Sequence, residues 1–144
     1  MNEPTVDIML ATIKAQFNLR EPEAVAEGFK DKDITPVRYQ YLWLNDDRDL
    51  CGCAVGEQCL HRAPEKREAY LHDPEGPRAE PLEWTNLVPG LPLNFAEGVD
   101  RGFTHGPPPF PEKMTLEYLA GVEYGVAIRD ACYGAGLYVR DSAT

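Results

Sequence analysis

Gly98-Val99-Asp100-Arg101-Gly102-Phe103 and Gly121-Val122-Glu123-Tyr124-Gly125-Val126 carry one pattern twice, Gly-Val-acid-x-Gly-apolar, 23 residues apart. Two copies are too few for a solenoid, which needs about three or more repeats. Glycine inside a helix costs ~1 kcal/mol relative to alanine. Two glycine pairs therefore predict helices whose backbones must approach closely. The competing reading is a loop over 94–103 that uses glycine for positive φ.

The second copy lies in a long helical pattern. Over 112–133, Tyr118, Gly121, Val122, Gly125, Ile128 and Cys132 fall on one face, while Glu117, Glu123 and Asp130 fall elsewhere. Gly134 and Gly136 supply a stop. Cys132 is thereby predicted to be a core residue, and Leu137–Arg140 a short edge strand.

Ten of the thirteen prolines lie between Pro64 and Pro111. Proline lacks a donor and fixes φ, so 64–111 is predicted to be loop-dominated. Trp84, Leu87, Val88, Leu91, Leu93 and Phe95 are too many large apolar groups for a free linker, so the segment should pack over the core. Pro107-Pro108-Pro109 with Pro111 reads as a rigid connector into the last helix, or as a polyproline II face for a partner.

Toward the start, Val6, Met9, Leu10, Ile13 and Phe17 recur at helical spacing over 5–19. Pro4 suits a first helical turn, and Pro22 can open a second helix over 22–30 with Val25 and Phe29 inward. Thr35–Leu44 alternates Val37, Tyr39, Tyr41 and Trp43 with other residues, which is strand periodicity. After the polar turn Asn45–Asp49, Leu50–Val55 pairs back or leads into a helix from about Ala54. The expected fold is α+β: one small domain over 1–144, predominantly helical, with a short antiparallel β element around 36–55 and a packed Pro-rich segment.

The chain has 144 residues and is 43% apolar before glycine is counted, which excludes a wholly disordered molecule. Its 24 acidic residues outnumber 14 basic ones, giving a net charge of −10. That balance argues against direct binding to a nucleic-acid backbone or an anionic membrane, and leaves open a protein partner that is basic or neutral. The densest acidic cluster is Asp46, Asp47 and Asp49, taken as a candidate binding surface. There is no signal-peptide pattern and no apolar run of ~20 residues, so the expected location is the cytoplasm, with four reduced cysteines.

One cluster has ligand chemistry. Cys51, Cys53, Cys59 and His61 supply three thiols and an imidazole within eleven residues, the donor types of tetrahedral zinc. Their spacing lacks paired Cys-x-x-Cys units. On a helix, Cys59 and His61 would stand ~200° apart. A nucleophilic Cys53 just ahead of a helix is the thiol variant of this reading, with His61, His72 and His105 as available bases. No P-loop, dinucleotide fingerprint, Gly-x-Ser-x-Gly, His-Glu-x-x-His or EF-hand is present. The functional expectation is a non-catalytic protein-binding or inhibitory module without a cofactor. The alternative is a zinc-binding or thiol-dependent protein centred on Cys51–His61.

Overall fold

The computed structural model describes residues 5–38, 42–44, 49–68 and 83–141. Helix α1 spans Val6–Phe17 and starts where the Thr5 hydroxyl accepts from the Ile8 N–H. It ends at Asn18 in the left-handed region, a conformation asparagine tolerates. Helix α2, Pro22–Asp31, uses its proline at the first position, where no donor is lost. Strands β1 (Thr35–Pro36), β2 (Leu42–Leu44) and β3 (Leu50–Gly52) follow, then helix α3 (Ala54–Arg62). Helices α4 (Trp84–Leu87), α5 (Leu93–Thr104) and α6 (Leu116–Gly134) follow among the described residues.

The molecule is mostly helical, as expected, but its sheet is mixed. The order is β1-β3-β2, with β2 antiparallel to β3 and β1 parallel to it. The expected antiparallel pairing is thus only part of the sheet. Arg140 bridges to Val37 in parallel, so the expected strand at 137–140 reduces to a single bridge on the outer side of β1. Tyr39, Tyr41, Asp46 and Asp47 lie outside the described residues, as do the side chains of Trp43 and Leu44.

Among the described residues of 64–111, helices α4 and α5 alternate with irregular chain. Residues 93–106 contain no proline, and Pro92 occupies the N-cap of α5, where its missing N–H costs nothing. The glycine echo predicts this twelve-residue helix, against the loop that proline density across 64–111 suggests. Trp84, Val88, Leu91 and Phe95 are buried, whereas Leu93 is exposed.

Helices α5 and α6 form the most extensive helix–helix contact, and they are joined through their glycines. A Cβ on Gly98 would collide with the carbonyl of Tyr118 and lie 3.0 Å from the Val122 nitrogen. One on Gly121 would collide with the carbonyl of Phe95 and lie 2.9 Å from the Val99 nitrogen. Gly102 meets the Val122 carbonyl in the same way, and Gly125 the Val99 carbonyl. Each contact maps onto its partner by the 23-residue shift of the sequence echo, so the two helices are related by a local two-fold axis and run parallel. The glycine hydrogens point at carbonyl oxygens, the geometry of Cα–H···O contacts between closely packed helices.

Parallel neighbours require the chain to return along their length. Helix α5 is ~18 Å long, and the connector 105–115 can span up to ~34 Å in polyproline II form. Pro107-Pro108-Pro109 is thus placed in the return strut between the two helices. The strut ends where the Asn94 amide donates to Thr115 Oγ1 at 3.3 Å, beside the Thr115 cap of α6.

Helices α1 and α2 also lie against α6; Phe29 of α2 stacks on Phe103 of α5 at 6.1 Å, and Phe95 of α5 on Tyr124 of α6 at 6.0 Å. Cys132 is fully buried in this core, as its place on the helix predicts. Among the described residues, no helix is long and apolar enough to cross a membrane.

Candidate functional site

The Cys51–His61 segment does not assemble as a ligand set. Cys51 is in β3 and packs with Val37, apart from the main core that holds Cys53 and Cys59. All four cysteines of the chain are free and buried, while His61 is exposed on α3. The half-turn expected between positions 59 and 61 of a helix is what separates them. Among the described residues, no group of three or more His, Cys, Asp or Glu side chains could hold a metal ion. Asp49 is exposed, and its carbonyl accepts from the Cys51 thiol at 3.6 Å.

Cys53 does stand at the N-cap of α3. Burial nevertheless pushes its thiol up to about 12, and the nearby Asp100 carboxylate adds to the rise. The N–H groups of Gly56 and Val55 pull the other way and do not prevail. Cys59 and Cys132 are likewise pushed to about 12 by burial. A thiol with so little thiolate at neutral pH, and without exposed surface, is a poor nucleophile.

The buried charge is elsewhere. Glu57 on α3 is fully buried and accepts from Arg20 Nη2 at 2.5 and 2.9 Å, with Lys32 Nζ at 3.2 Å. Gly28 on α2 leaves room for it, since a Cβ there would lie 2.8 Å from Glu57 Oε1. Gln58, also buried, accepts from Arg20 at 3.1 Å. Tyr124 of α6 donates to the Arg20 carbonyl at 2.5 Å. Burial, followed by the cations of Arg20, Lys32 and Arg62, lowers His61 to about 4.

Arg20, Lys32, Arg62 and Arg67 form a local cationic group on an acidic protein, but they are engaged. Arg62 donates to the Phe17 carbonyl at 3.0 Å, at the end of α1, and Arg67 donates to the Lys32 carbonyl, at the end of α2. Helix C-termini carry partial negative charge that attracts such cations. The cluster ties helix ends together and does not present an anion site.

A groove of about 250 Å³ opens between α3, the start of α4 and the first turns of α5. Its apolar lining is Val55, Trp84, Leu93 and Ala96, and Glu83 and Glu97 are its exposed carboxylates. Leu93 is 60% exposed there. Glu83 accepts from the Asn86 amide at 3.2 Å, and neither carboxylate is ion-paired with another described residue. The Trp84 indole N–H is buried without an acceptor among the described residues. A second groove of about 470 Å³ lies between the C-terminal ends of α2 and α6. It mixes Lys30, Asp33 and Arg140 and has no consistent charge.

Sequence reasoning placed Trp84 in packed structure but missed the first groove. Its walls come from three segments spread over about forty residues, and no local pattern joins Val55, Glu83 and Glu97. No protein-family model, curated protein or solved structure matches this chain.

Proposed function

We propose that the protein is a non-catalytic protein-binding module that captures a basic, partly apolar segment of a partner in the groove at Trp84. The observation that carries this reading is the pairing of an apolar lining with two exposed carboxylates that lack a cation among the described residues. Burying such a surface against a neutral apolar partner would desolvate both carboxylates without compensation. A basic segment supplies the counter-charge, and the net charge of −10 steers it inward. Asp46, Asp47 and Asp49 add to the acidic character of the sequence. Four free, buried thiols suit a reducing compartment such as the cytoplasm.

The test is a titration of the full chain with a synthetic peptide of lysine and leucine spaced by glycine, followed through the Trp84 indole N–H resonance. Binding should weaken about tenfold or more when salt is raised from ~0.05 to ~0.3 M, where screening shortens. Replacing Glu83 and Glu97 together by Lys should abolish it. Equal binding of the glutamate–leucine counterpart would overturn the reading.

A further inference from the structure

We infer that the docking surface continues out of the groove over the shared N-terminal end of α5 and α6, and that its partner is a basic amphipathic helix. This rests on the protein-binding reading and specifies its partner. The first observation is where apolar surface lies open. Six large apolar side chains stand exposed among the described residues, and three of them belong to this end: Leu93 at 60%, Phe110 at 56% and Met114 at 40%. Scattered exposed apolar residues are ordinary, whereas a contiguous group marks an interaction surface.

Local geometry brings the three together. The Asn94 amide donates to Thr115 Oγ1 at 3.3 Å, which sets the first turn of α5 beside the cap of α6. Leu93 and Met114 are the residues that precede those two, so both stand at this junction. The Lys113 N–H donates to the Phe110 carbonyl and the Met114 N–H to the Pro111 carbonyl. That tight turn folds Phe110 back toward Met114. Leu93 also lines the groove, and so joins it to the ridge that Met114 and Phe110 continue.

Charge selects the occupant. Glu97 stands one helical turn after Leu93 on α5, Glu112 lies within the turn, and Glu117 is in the first turn of α6. None of the three is ion-paired with another described residue. The one cation of 110–117 is Lys113, whose ammonium lies 5.2 Å over the Phe110 ring. A second copy would set these carboxylates against themselves, with a net charge of −10 on each chain. A basic partner supplies the opposite sign. A helix gathers apolar side chains from i, i+3 or i+4 and i+7 on one face with cations beside them, the complement of an apolar ridge flanked by carboxylates.

The experiment uses the full chain and three labelled peptides, each about five helical turns long, followed by fluorescence anisotropy. One carries leucines at helical spacing among lysines. The second has the same composition with its leucines scattered around the helix, and the third replaces lysine by glutamate. The amphipathic lysine peptide should bind about tenfold more tightly than the scattered one, and the glutamate peptide should not bind. Replacing both Phe110→Ser and Met114→Ser should weaken the amphipathic peptide about tenfold, the order expected for losing buried apolar side chains, with an unchanged far-ultraviolet spectrum. Equal binding of the two lysine peptides, or a double variant that binds as the wild type does, would overturn the ridge and leave the groove reading standing. No binding by any peptide, or equal binding of the glutamate peptide, would overturn both. A wild-type chain that dimerises in sedimentation while the double variant stays monomeric would assign the ridge to a second copy and overturn the basic partner.

Discussion

The α5–α6 seam and the α2–α3 ion cluster hold helices together by opposite means. At the seam the contact is made by absence: Gly98, Gly102, Gly121 and Gly125 bring backbone onto backbone, with no side chain able to intervene. At the ion cluster a full carboxylate, Glu57, fills the space that Gly28 leaves, and two cations compensate it. The difference lies in what can yield. A backbone carbonyl locked in a helix cannot move without moving the helix, whereas a side chain can rotate. Glycine therefore has a different weight in the two places.

The largest expected effect comes from breaking the ion cluster. Glu57→Ala removes the shared partner of Arg20 and Lys32 and opens a cavity, and breaking a buried pair by removing one partner typically costs ~3–5 kcal/mol. Chemical denaturation should show a loss in that range. A loss under ~1 kcal/mol would mean that the two cations reach water unaided. Next comes the symmetry of the seam. Gly98→Ala and Gly121→Ala place a methyl against equivalent carbonyls, so both should destabilise, by similar amounts in the ~1–3 kcal/mol range of overpacking. Unequal losses would break the local two-fold relation.

Gly28→Ala sharpens the contrast. Its methyl would meet Glu57 Oε1 at 2.8 Å and Arg20 Nη1 at 3.0 Å, atoms at the ends of flexible side chains. A gain in helix propensity of up to ~1 kcal/mol opposes that crowding, so the net change should stay within ~1 kcal/mol of zero. The last test needs no substitution and reads pH through His61 on α3. Its folded value, about 4, lies below the ordinary 6.5, so the unfolded chain binds more protons between these values. The stability His61 contributes is present above pH 6.5 and lost as pH falls through about 4. An NMR titration should place its midpoint near 4, and a midpoint near 6.5 would mean that neither partial desolvation of the ring nor the cations of Arg20, Lys32 and Arg62 act on it.

What was legible in the sequence followed from local rules. The periodicity of Val6 to Phe17 and of Gly121 to Cys132 marked two helices, and Pro22 opened a third at the residue where it begins. The echo Gly98–Phe103 and Gly121–Val126 marked the α5–α6 seam, because glycine spacing reports where backbones touch. Helix α5 was obscured by counting prolines over too wide a window, when only the gap between Pro92 and Pro107 mattered. The parallel pairing of β1 with β3 was not readable, since two-residue strands carry no period. Nor was the partnership of Arg20, Lys32 and Glu57, which depends on how three helices meet. The groove at Trp84 was hidden for the same reason. Its chemistry becomes visible only when Val55, Glu83 and Glu97 are brought together.

The seam is tested most directly by two substitutions in one helix. On α6, Gly125→Ala puts a methyl against the Val99 carbonyl and within 2.8 Å of the Phe103 nitrogen, whereas Gly134→Ala meets nothing within 4 Å. Both gain up to ~1 kcal/mol of helix propensity, but only Gly125 incurs overpacking, typically ~1–3 kcal/mol and here against unyielding backbone. Urea midpoints of the two variants should therefore move in opposite directions, down for Gly125→Ala and slightly up for Gly134→Ala, with unchanged slopes. A rise for Gly125→Ala would contradict the close parallel packing of α5 on α6.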